Sequence, residues 1–420
     1  MQFIKVEEFY PGSCKSFVLI TKIMFLFGVD IRSDAKKSGC KPSKWCSAYQ
    51  TFVKVLWILY FFYSMLSVII VDLHSMTRIS EKLPRQIRDV LAFMIWCVLK
   101  TRRRKIFYLL RKISCLSNNF NVKHHPLWLP STTVIVLGIP LIGWRLATYP
   151  FEEHECQVLI QHFSLNFRYV PEGQNCKVLS IISLLHSLAT LSLKLAFTIL
   201  YVLLCCLLRN ILMVHSGAGA KLLANQSPIL DDKYFKRYLT EYESVIQVLK
   251  SFERIMSFPI LFAQIYDCMS IFYGIVNLDP MKELSHNTLL AKYFIAIVYA
   301  SSVCLVSFLC ESSSATSVHE ASKRAKDVHD RMFKWILASE QGIGREQLSF
   351  AVSELQQSSI HIVCLRYLLF HETDDSGICR KYFDLFFACN GVLKIKTDAQ
   401  ATEDILEYHV ISIGFAVCEI

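Results

Sequence analysis

The sequence predicts an all-α, polytopic membrane protein with seven transmembrane helices and a cytoplasmic N-terminus. First, residues 178–208 form an apolar run whose only ionisable side chains are His186 and Lys194. As a helix this run would be about 46 Å long, more than the roughly 30 Å hydrocarbon core requires. Second, 53% of the 420 residues are hydrophobic and only 19% are charged. Third, Lys and Arg concentrate in alternate connections, as expected of loops that stay in the cytoplasm.

The residues on either side of the run 178–208 give its direction through the membrane. The preceding residues 149–177 contain four glutamates and two basic residues, whereas Arg209, Lys221 and Lys233 follow the run. Because Lys and Arg are retained on the cytoplasmic side, this helix should enter from the outside. Cys156 and Cys176 lie in the proposed outer loop, where a disulfide between them is chemically possible.

The N-terminal residues 1–50 are predicted to be a cytoplasmic segment and residues 51–420 the membrane domain. Residues 17–29 are apolar but short, and Lys22 interrupts them, which is compatible with a helix at the membrane surface. The first two spans are residues 51–71 and 84–100. The loop that follows, residues 100–128, contains eight Lys and Arg and no Asp or Glu, so it should be cytoplasmic. Its position next to an apolar span favours the membrane over nucleic acid as the partner.

The remaining spans are residues 129–148, 178–208, 257–278, 291–310 and 400–418. Pro140 predicts a kink in the third span. Two cytoplasmic segments, within residues 238–252 and 318–332, repeat apolar residues at three- and four-residue steps and should be helical. The seventh span is short for crossing a bilayer, because several charged residues crowd the approach to it.

No catalytic set stands out, and we expect neither enzymatic activity nor a cofactor nor a metal site. The sequence has no glycine-rich phosphate loop, and its 16 cysteines include no Cys-x-x-Cys pair. Lys194 and Asp267 draw attention instead, because ionisable groups within a membrane are costly and usually functional. Three interpretations stay open: an ion pair that satisfies both charges, a Lys194 that extends to the interface, and a role in ligand binding or ion passage.

The order of the spans, the inside N-terminus, the short outer loops and the large helical inner segments resemble the arthropod gustatory and odorant receptor superfamily. The last span of that family carries Thr-Tyr, five mostly apolar residues, then Gln-Phe. Here Glu407-Tyr408, the five residues His-Val-Ile-Ser-Ile and Gly414-Phe415 keep the Tyr and the Phe at that spacing. Glu407 replaces the Thr and Gly414 replaces the Gln. The motif favours the gustatory branch, with a divergent C-terminus.

The resemblance implies a taste receptor in the plasma membrane that acts as a ligand-gated, non-selective cation channel for small organic ligands. It also implies a homo- or heterotetramer in the lipid bilayer, in which the seventh span of each subunit lines the pore. The pore or motif candidates are Glu407, Tyr408, Ser412, Gly414 and Phe415. The ligand should bind in the outer half of the bundle, where the candidate ligand-binding residues are Trp144, His186, Lys194, Asp267 and Tyr299.

Other functions remain as alternatives. A G-protein-coupled receptor needs an outer N-terminus, and the basic residues 100–128 argue against that orientation. A transporter would be expected to show a repeated half, which we do not find. A non-conducting, divergent member of the family is the third alternative, because Asp404, Glu407 and His409 oppose insertion of the seventh span.

Overall fold

The computed structural model describes residues 15–31, 44–74, 79–120, 122, 132–148, 177–224, 232–278 and 288–338. The chain divides into two units, Met1–Leu365 and Arg366–Ile420, and all of the described residues belong to the first. They form helices and turns, with no strand among them. The predicted span 400–418 lies outside the described residues, as do Cys156, Cys176 and all five pore candidates: Glu407, Tyr408, Ser412, Gly414 and Phe415.

The described residues form seven α-helices: α1 (Lys15–Leu26), α2 (Lys44–His74), α3 (Ile79–Asn119), α4 (Ile139–Thr148), α5 (Lys177–Ala224), α6 (Asp232–Leu278) and α7 (Thr288–Ala338). Three of these helices are long and apolar enough to cross a membrane, over Ser180–Ala224, Arg237–Ile275 and Phe294–Lys334. These three helices, α5, α6 and α7, contain the predicted spans 178–208, 257–278 and 291–310. The predicted spans 51–71 and 84–100 are helical throughout, and so is the third span over residues 132–148.

Helix α5 is the central helix of the bundle. Its apolar stretch is 78% buried, against 17% for that of α7. Leu193, Phe197, Leu204 and Leu208 have no exposed surface, and α5 packs against α1, α3, α4, α6 and α7. The bundle encloses residues 190–208 of this helix, which explains why that part of the apolar run shows no polar face.

Helices α5, α6 and α7 continue past their predicted spans without a break. The helical structure expected over residues 238–252 and 318–332 is confirmed, and Tyr242 and Phe252 of α6 and Val318 and Ala325 of α7 are buried. At 1.5 Å per residue, α5 is about 72 Å long, more than twice the hydrocarbon thickness. Its C-terminal turns therefore extend beyond the membrane. We call this end of the bundle, which also holds the basic residues 100–112 of α3, the basic end.

The prediction of a loop over residues 100–128 is wrong for the first two-thirds of this range, because α3 continues as a helix to Asn119. Ile106, Leu109, Leu110 and Ile113 recur at three- and four-residue steps and are at most 1% exposed. These residues form an apolar stripe that packs into the bundle while the basic side chains lie on the other faces. The density of charge in this segment obscured the stripe in the sequence.

Arg102 fastens α3 to α6 beside Pro259. A proline has no N–H, so the carbonyl of Ile255, four residues earlier, lacks its usual helical donor. Arg102 Nη1 donates a hydrogen bond to that carbonyl at 2.7 Å and another to the carbonyl of Arg254 at 2.8 Å. Its guanidinium also lies 5.0 Å from the ring centroid of Phe258. The arginine thus supplies the donor that the proline removes.

Helix α1 packs into the core of the bundle, since Phe17 and Met24 are at most 2% exposed. The chain leaves α1 through Gly28, whose φ is +78°. The N–H of Val29 donates to the carbonyl of Met24 at 3.0 Å, as in a Schellman motif. A Cβ on Gly28 would lie 2.7 Å from Cγ1 of Val53 in α2. Glycine therefore allows both the turn and the close approach of α2.

A π-helical segment, Val134–Gly138, comes immediately before α4, within one turn of Pro140, where the sequence predicts a kink. Pro140 cannot donate to the carbonyl of Val136 in the preceding turn. A wider π turn is one of the few established ways in which a helix accommodates such a defect. The third predicted span is therefore helical but not a uniform α-helix.

Candidate functional site

Three helices bring charged and hydroxyl side chains together in the middle of the bundle. Lys194 of α5 donates to both carboxylate oxygens of Asp267 in α6, at 2.5 Å each, and to the hydroxyl of Ser307 in α7. Lys194 is 1% exposed and Asp267 has no exposed surface. An ammonium group has three N–H donors, so all the donors of Lys194 are used. The expected pairing of Lys194 with Asp267 is confirmed, which favours the ion-pair interpretation.

A second carboxylate, Glu311 of α7, extends this group. Its Oε1 accepts a hydrogen bond from the hydroxyl of Thr198 at 2.6 Å and lies 3.9 Å from Nζ of Lys194. Glu311 is fully buried, and its Oε2 has no hydrogen-bond partner in the part of the chain that the structure describes. One ammonium group therefore faces two carboxylates and binds the carboxylate of Asp267 more closely.

We call the five residues Lys194, Thr198, Asp267, Ser307 and Glu311 the polar lock. Buried charges are tolerated when they are paired and hydrogen-bonded, and breaking such a pair destabilises a protein strongly. The polar lock therefore joins α5, α6 and α7 in one arrangement. Because its ammonium donors are already used, its geometry suits a structural role, and the ligand-binding role of Lys194 and Asp267 stays a prediction.

A second polar group lies among α2, α3 and α5, about 12 Å from Lys194 along the axis of α5 and away from the basic end. Nε2 of His186 is 3.6 Å from Oδ1 of Asp89, and the rings of Tyr60 and His186 meet edge to face at 5.3 Å. The side chains of His186 and Asp89 are 23% and 13% exposed. We call Tyr60, Asp89 and His186 the Asp89–His186 cluster; unlike the polar lock, it retains exposed surface.

The other two ligand-binding candidates, Trp144 and Tyr299, lie on α4 and α7. The hydroxyl of Tyr299 donates to the carbonyl of Ile139 at 3.1 Å, and its ring lies 3.3 Å from where a Cβ on Gly143 would be. Tyr299 thus joins α7 to α4. Trp144 is partly buried on α4. Of the five candidates, the structure joins Lys194 to Asp267 and places His186 in a separate cluster.

Sequence reasoning missed Glu311, Thr198, Ser307 and Asp89 as members of these groups. Glu311 follows directly after the predicted end of the sixth span, so it was assigned to the polar inner segment. A signal was available, because Thr198 follows Lys194 by four residues and Glu311 follows Ser307 by four. Residues four apart share a face of a helix, so each helix presents a polar pair on one face.

A helical bundle with membrane-length apolar helices and a buried ion pair at its centre defines a polytopic membrane protein. Its fold is similar to the structure of the insect olfactory receptor OR5 from Machilis hrabei, with a TM-score of 0.58. The match covers 89% of this chain and 97% of that chain at 13% sequence identity. No protein-family model matches the chain, and neither does the sequence of any curated protein. At this identity the similarity establishes a shared fold.

Proposed function

We propose that the chain is a chemosensory receptor of the gustatory type that works as a ligand-gated, non-selective cation channel in the plasma membrane. The observation that supports this best is the fold shared with an insect olfactory receptor over 89% of the chain. The spacing of Tyr408 and Phe415 supports the gustatory branch. A homo- or heterotetramer, with the seventh spans around one pore, follows from the same resemblance.

The proposed ligand is a small organic molecule that binds beside the Asp89–His186 cluster. Ligand sites are usually apolar with a few polar groups that fix the orientation of the ligand. Asp89 and His186 are such groups in an apolar bundle, and Tyr60 adds an aromatic face next to His186. A carboxylate at this position favours a ligand with a hydroxyl or amino group as hydrogen-bond donor.

The test is to express the chain in a cell without related receptors and to record membrane current during application of a panel of tastants. In Asp89→Asn, an active ligand should require about a tenfold higher concentration, which corresponds to the loss of one hydrogen bond to a charged group. Asp327→Asn, at an exposed position on α7, is the matched control and should respond like the wild type. An unchanged dose response in both Asp89→Asn and His186→Phe would remove the ligand from this cluster.

A double substitution in the tail separates a defective tail from a wrong function. Glu407→Thr with Gly414→Gln restores the family motif at the two positions where this chain departs from it. Current from the restored variant alone would mean that the bundle is sound and the native tail prevents conduction. Silence from both the native chain and the restored variant, despite delivery to the cell surface, would count against a stand-alone channel.

An epitope tag at Met1 that is accessible on intact cells would favour a G-protein-coupled receptor.

A further inference from the structure

Four aromatic rings from three helices form a continuous stack near the basic end. His215 of α5 lies face to face with Tyr238 of α6, with ring centroids 4.2 Å apart and planes within 13°. His329 of α7 stacks in the same way on Tyr242 of α6, at 4.2 Å and 8°. The rings of His215 and Tyr242 are stacked at 5.6 Å, which joins the two pairs. We call this group the ring column.

The two histidines of the ring column are buried and form no hydrogen bond with the residues that the structure describes. His215 has no exposed surface and His329 is 2% exposed. Neither nitrogen of either ring has a hydrogen-bond partner within the described part of the chain. Buried polar groups are normally hydrogen-bonded, whereas the described contacts of these rings are aromatic ones. Such packing suits a neutral imidazole, whereas a buried imidazolium would lack a partner for its charge.

The charged groups near the column are few and lie at its margins. Helix α6 contributes Glu241, which is already hydrogen-bonded to Arg237 at 2.9 Å, and α7 contributes Asp330. The end of α3 contributes the uncharged ring of Phe120, whose centroid is 5.8 Å from that of the nearer histidine. The two carboxylates favour protonation of the histidines, but neither forms an ion pair with them among the described contacts.

Burial affects the pKa of the two histidines more strongly than these carboxylates do. Burial and, to a smaller extent, the neighbouring His329 lower the pKa of His215 to about 4, although Glu241 acts in the opposite direction. Burial likewise lowers the pKa of His329 against the effect of Asp330. Burial also raises the pKa of Tyr238 to about 12, so this hydroxyl stays neutral and offers no charge to balance a protonated ring.

The three helices approach one another so closely here that the column cannot change alone. Gly219 lies one turn after His215 on α5. A Cβ on Gly219 would lie 2.6 Å from the hydroxyl oxygen of Tyr238 and 2.8 Å from Cγ1 of Val328 in α7. Since protein interiors are close-packed, a displaced ring would push all three helices at this point.

We propose that the ring column is a proton-sensitive joint, which holds the ends of α5, α6 and α7 together while His215 and His329 are neutral and releases them when either ring is protonated. The direction of the pH dependence follows from the linkage between proton binding and the state of the joint. A histidine whose pKa is lower in the joined state binds protons more readily in the released state. The joint is therefore intact above about pH 6.5, the pKa of a free histidine, and weakens as the pH falls below that value.

The inference does not depend on the proposed channel activity, so it can be tested on the purified full-length chain. Hydrogen exchange of the backbone in residues 210–224 and 237–245 reports the opening of the joint. Between about pH 7.5 and about pH 5.5, His215 should reduce protection about tenfold, and the contribution of His329 should make the total loss larger than that, after correction for intrinsic exchange. His215→Phe/His329→Phe keeps the rings but cannot titrate, and its protection should not depend on pH.

His319→Phe is the matched control, because His319 is an exposed histidine on the same helix as His329 and should leave the wild-type response intact. The single variant His329→Phe should keep only the change of about tenfold that His215 causes, which is smaller than that of the wild type, and it provides the measurement if the double variant does not fold. Equal loss of protection in the wild type and the phenylalanine variants at the lower pH would overturn the proposal. Full protection of the wild type at that pH would do the same.

Discussion

Removal of the charge on Lys194 should damage the protein more than removal of either carboxylate in the polar lock. In Lys194→Met, both Asp267 and Glu311 lose their compensating charge. In Asp267→Asn, Lys194 still has Glu311, whose Oε1 lies 3.9 Å from Nζ, and the buried charges become balanced. Glu311→Gln leaves the closest pair intact. The structure therefore predicts three unequal losses from three substitutions that each remove one charge.

The magnitudes follow from the contacts that each substitution removes. Removal of one partner of a buried ion pair costs about 3–5 kcal/mol, and Lys194→Met should lie at the upper end because two carboxylates are affected. Asp267→Asn should cost about 1–3 kcal/mol, the range for hydrogen bonds to a charged group. Glu311→Gln should cost about 1 kcal/mol or less, because its Oε2 has no partner among the described residues.

Thermal unfolding of the purified protein in detergent, followed by fluorescence, ranks the variants. The double variant Lys194→Met/Asp267→Asn should be more stable than Lys194→Met alone, because only one buried carboxylate is left and it can take up a proton. Equal losses of stability for the three single substitutions would refute the conclusion that Lys194 binds Asp267 more closely than Glu311. A double variant whose loss is the sum of the single losses would show that the two side chains are not coupled.

Three further predictions use the same measurement. Arg102→Ala should lower the stability of the wild type by about 1.5–3 kcal/mol. The loss should be clearly smaller in Pro259→Ala, because alanine restores the N–H that proline lacks. Equal losses in both backgrounds would contradict the role of Arg102 as the replacement donor. Gly219→Ala should cost about 1–3 kcal/mol through overpacking, whereas Gly217→Ala, with open space around it, should gain about 0.5–1 kcal/mol; similar results would contradict the close helix contact. Gly28→Ala should cost at least about 1–2 kcal/mol, and no loss would contradict the left-handed backbone there.

Features that one helix carries by itself could be predicted from the sequence. The long apolar helices could be predicted because the scarcity of charge over residues 178–208, where Lys194 is the single Lys, Arg, Asp or Glu, is a local property. The inner helical segments also followed from spacing alone. Lys194 and Asp267 stood out because each is an isolated charge in an apolar run, and the cost of leaving them unpaired pointed to their contact.

Features that depend on which helices meet could not be predicted. The ring column joins residues far apart in the chain, and neither histidine is conspicuous in its own segment. His329 continues the buried stripe of Ala321, Ala325 and Met332, yet its ring gave no sign of a stacking partner. The role of Arg102 was hidden for the same reason, because only the neighbouring helix contains the proline that makes it useful.

The uninterrupted course of α5 makes this helix a lever. The chain between Lys194 and His215 contains neither proline nor glycine, and the two residues are about 32 Å apart along the axis. If the helix tilts by about 5° about the polar lock as a fulcrum, its far arm moves sideways by about 3 Å at His215. That displacement is more than half of the 4.2 Å spacing of the stacked rings. A tilt that hardly moves the helix near the polar lock would therefore produce a much larger displacement at the ring column.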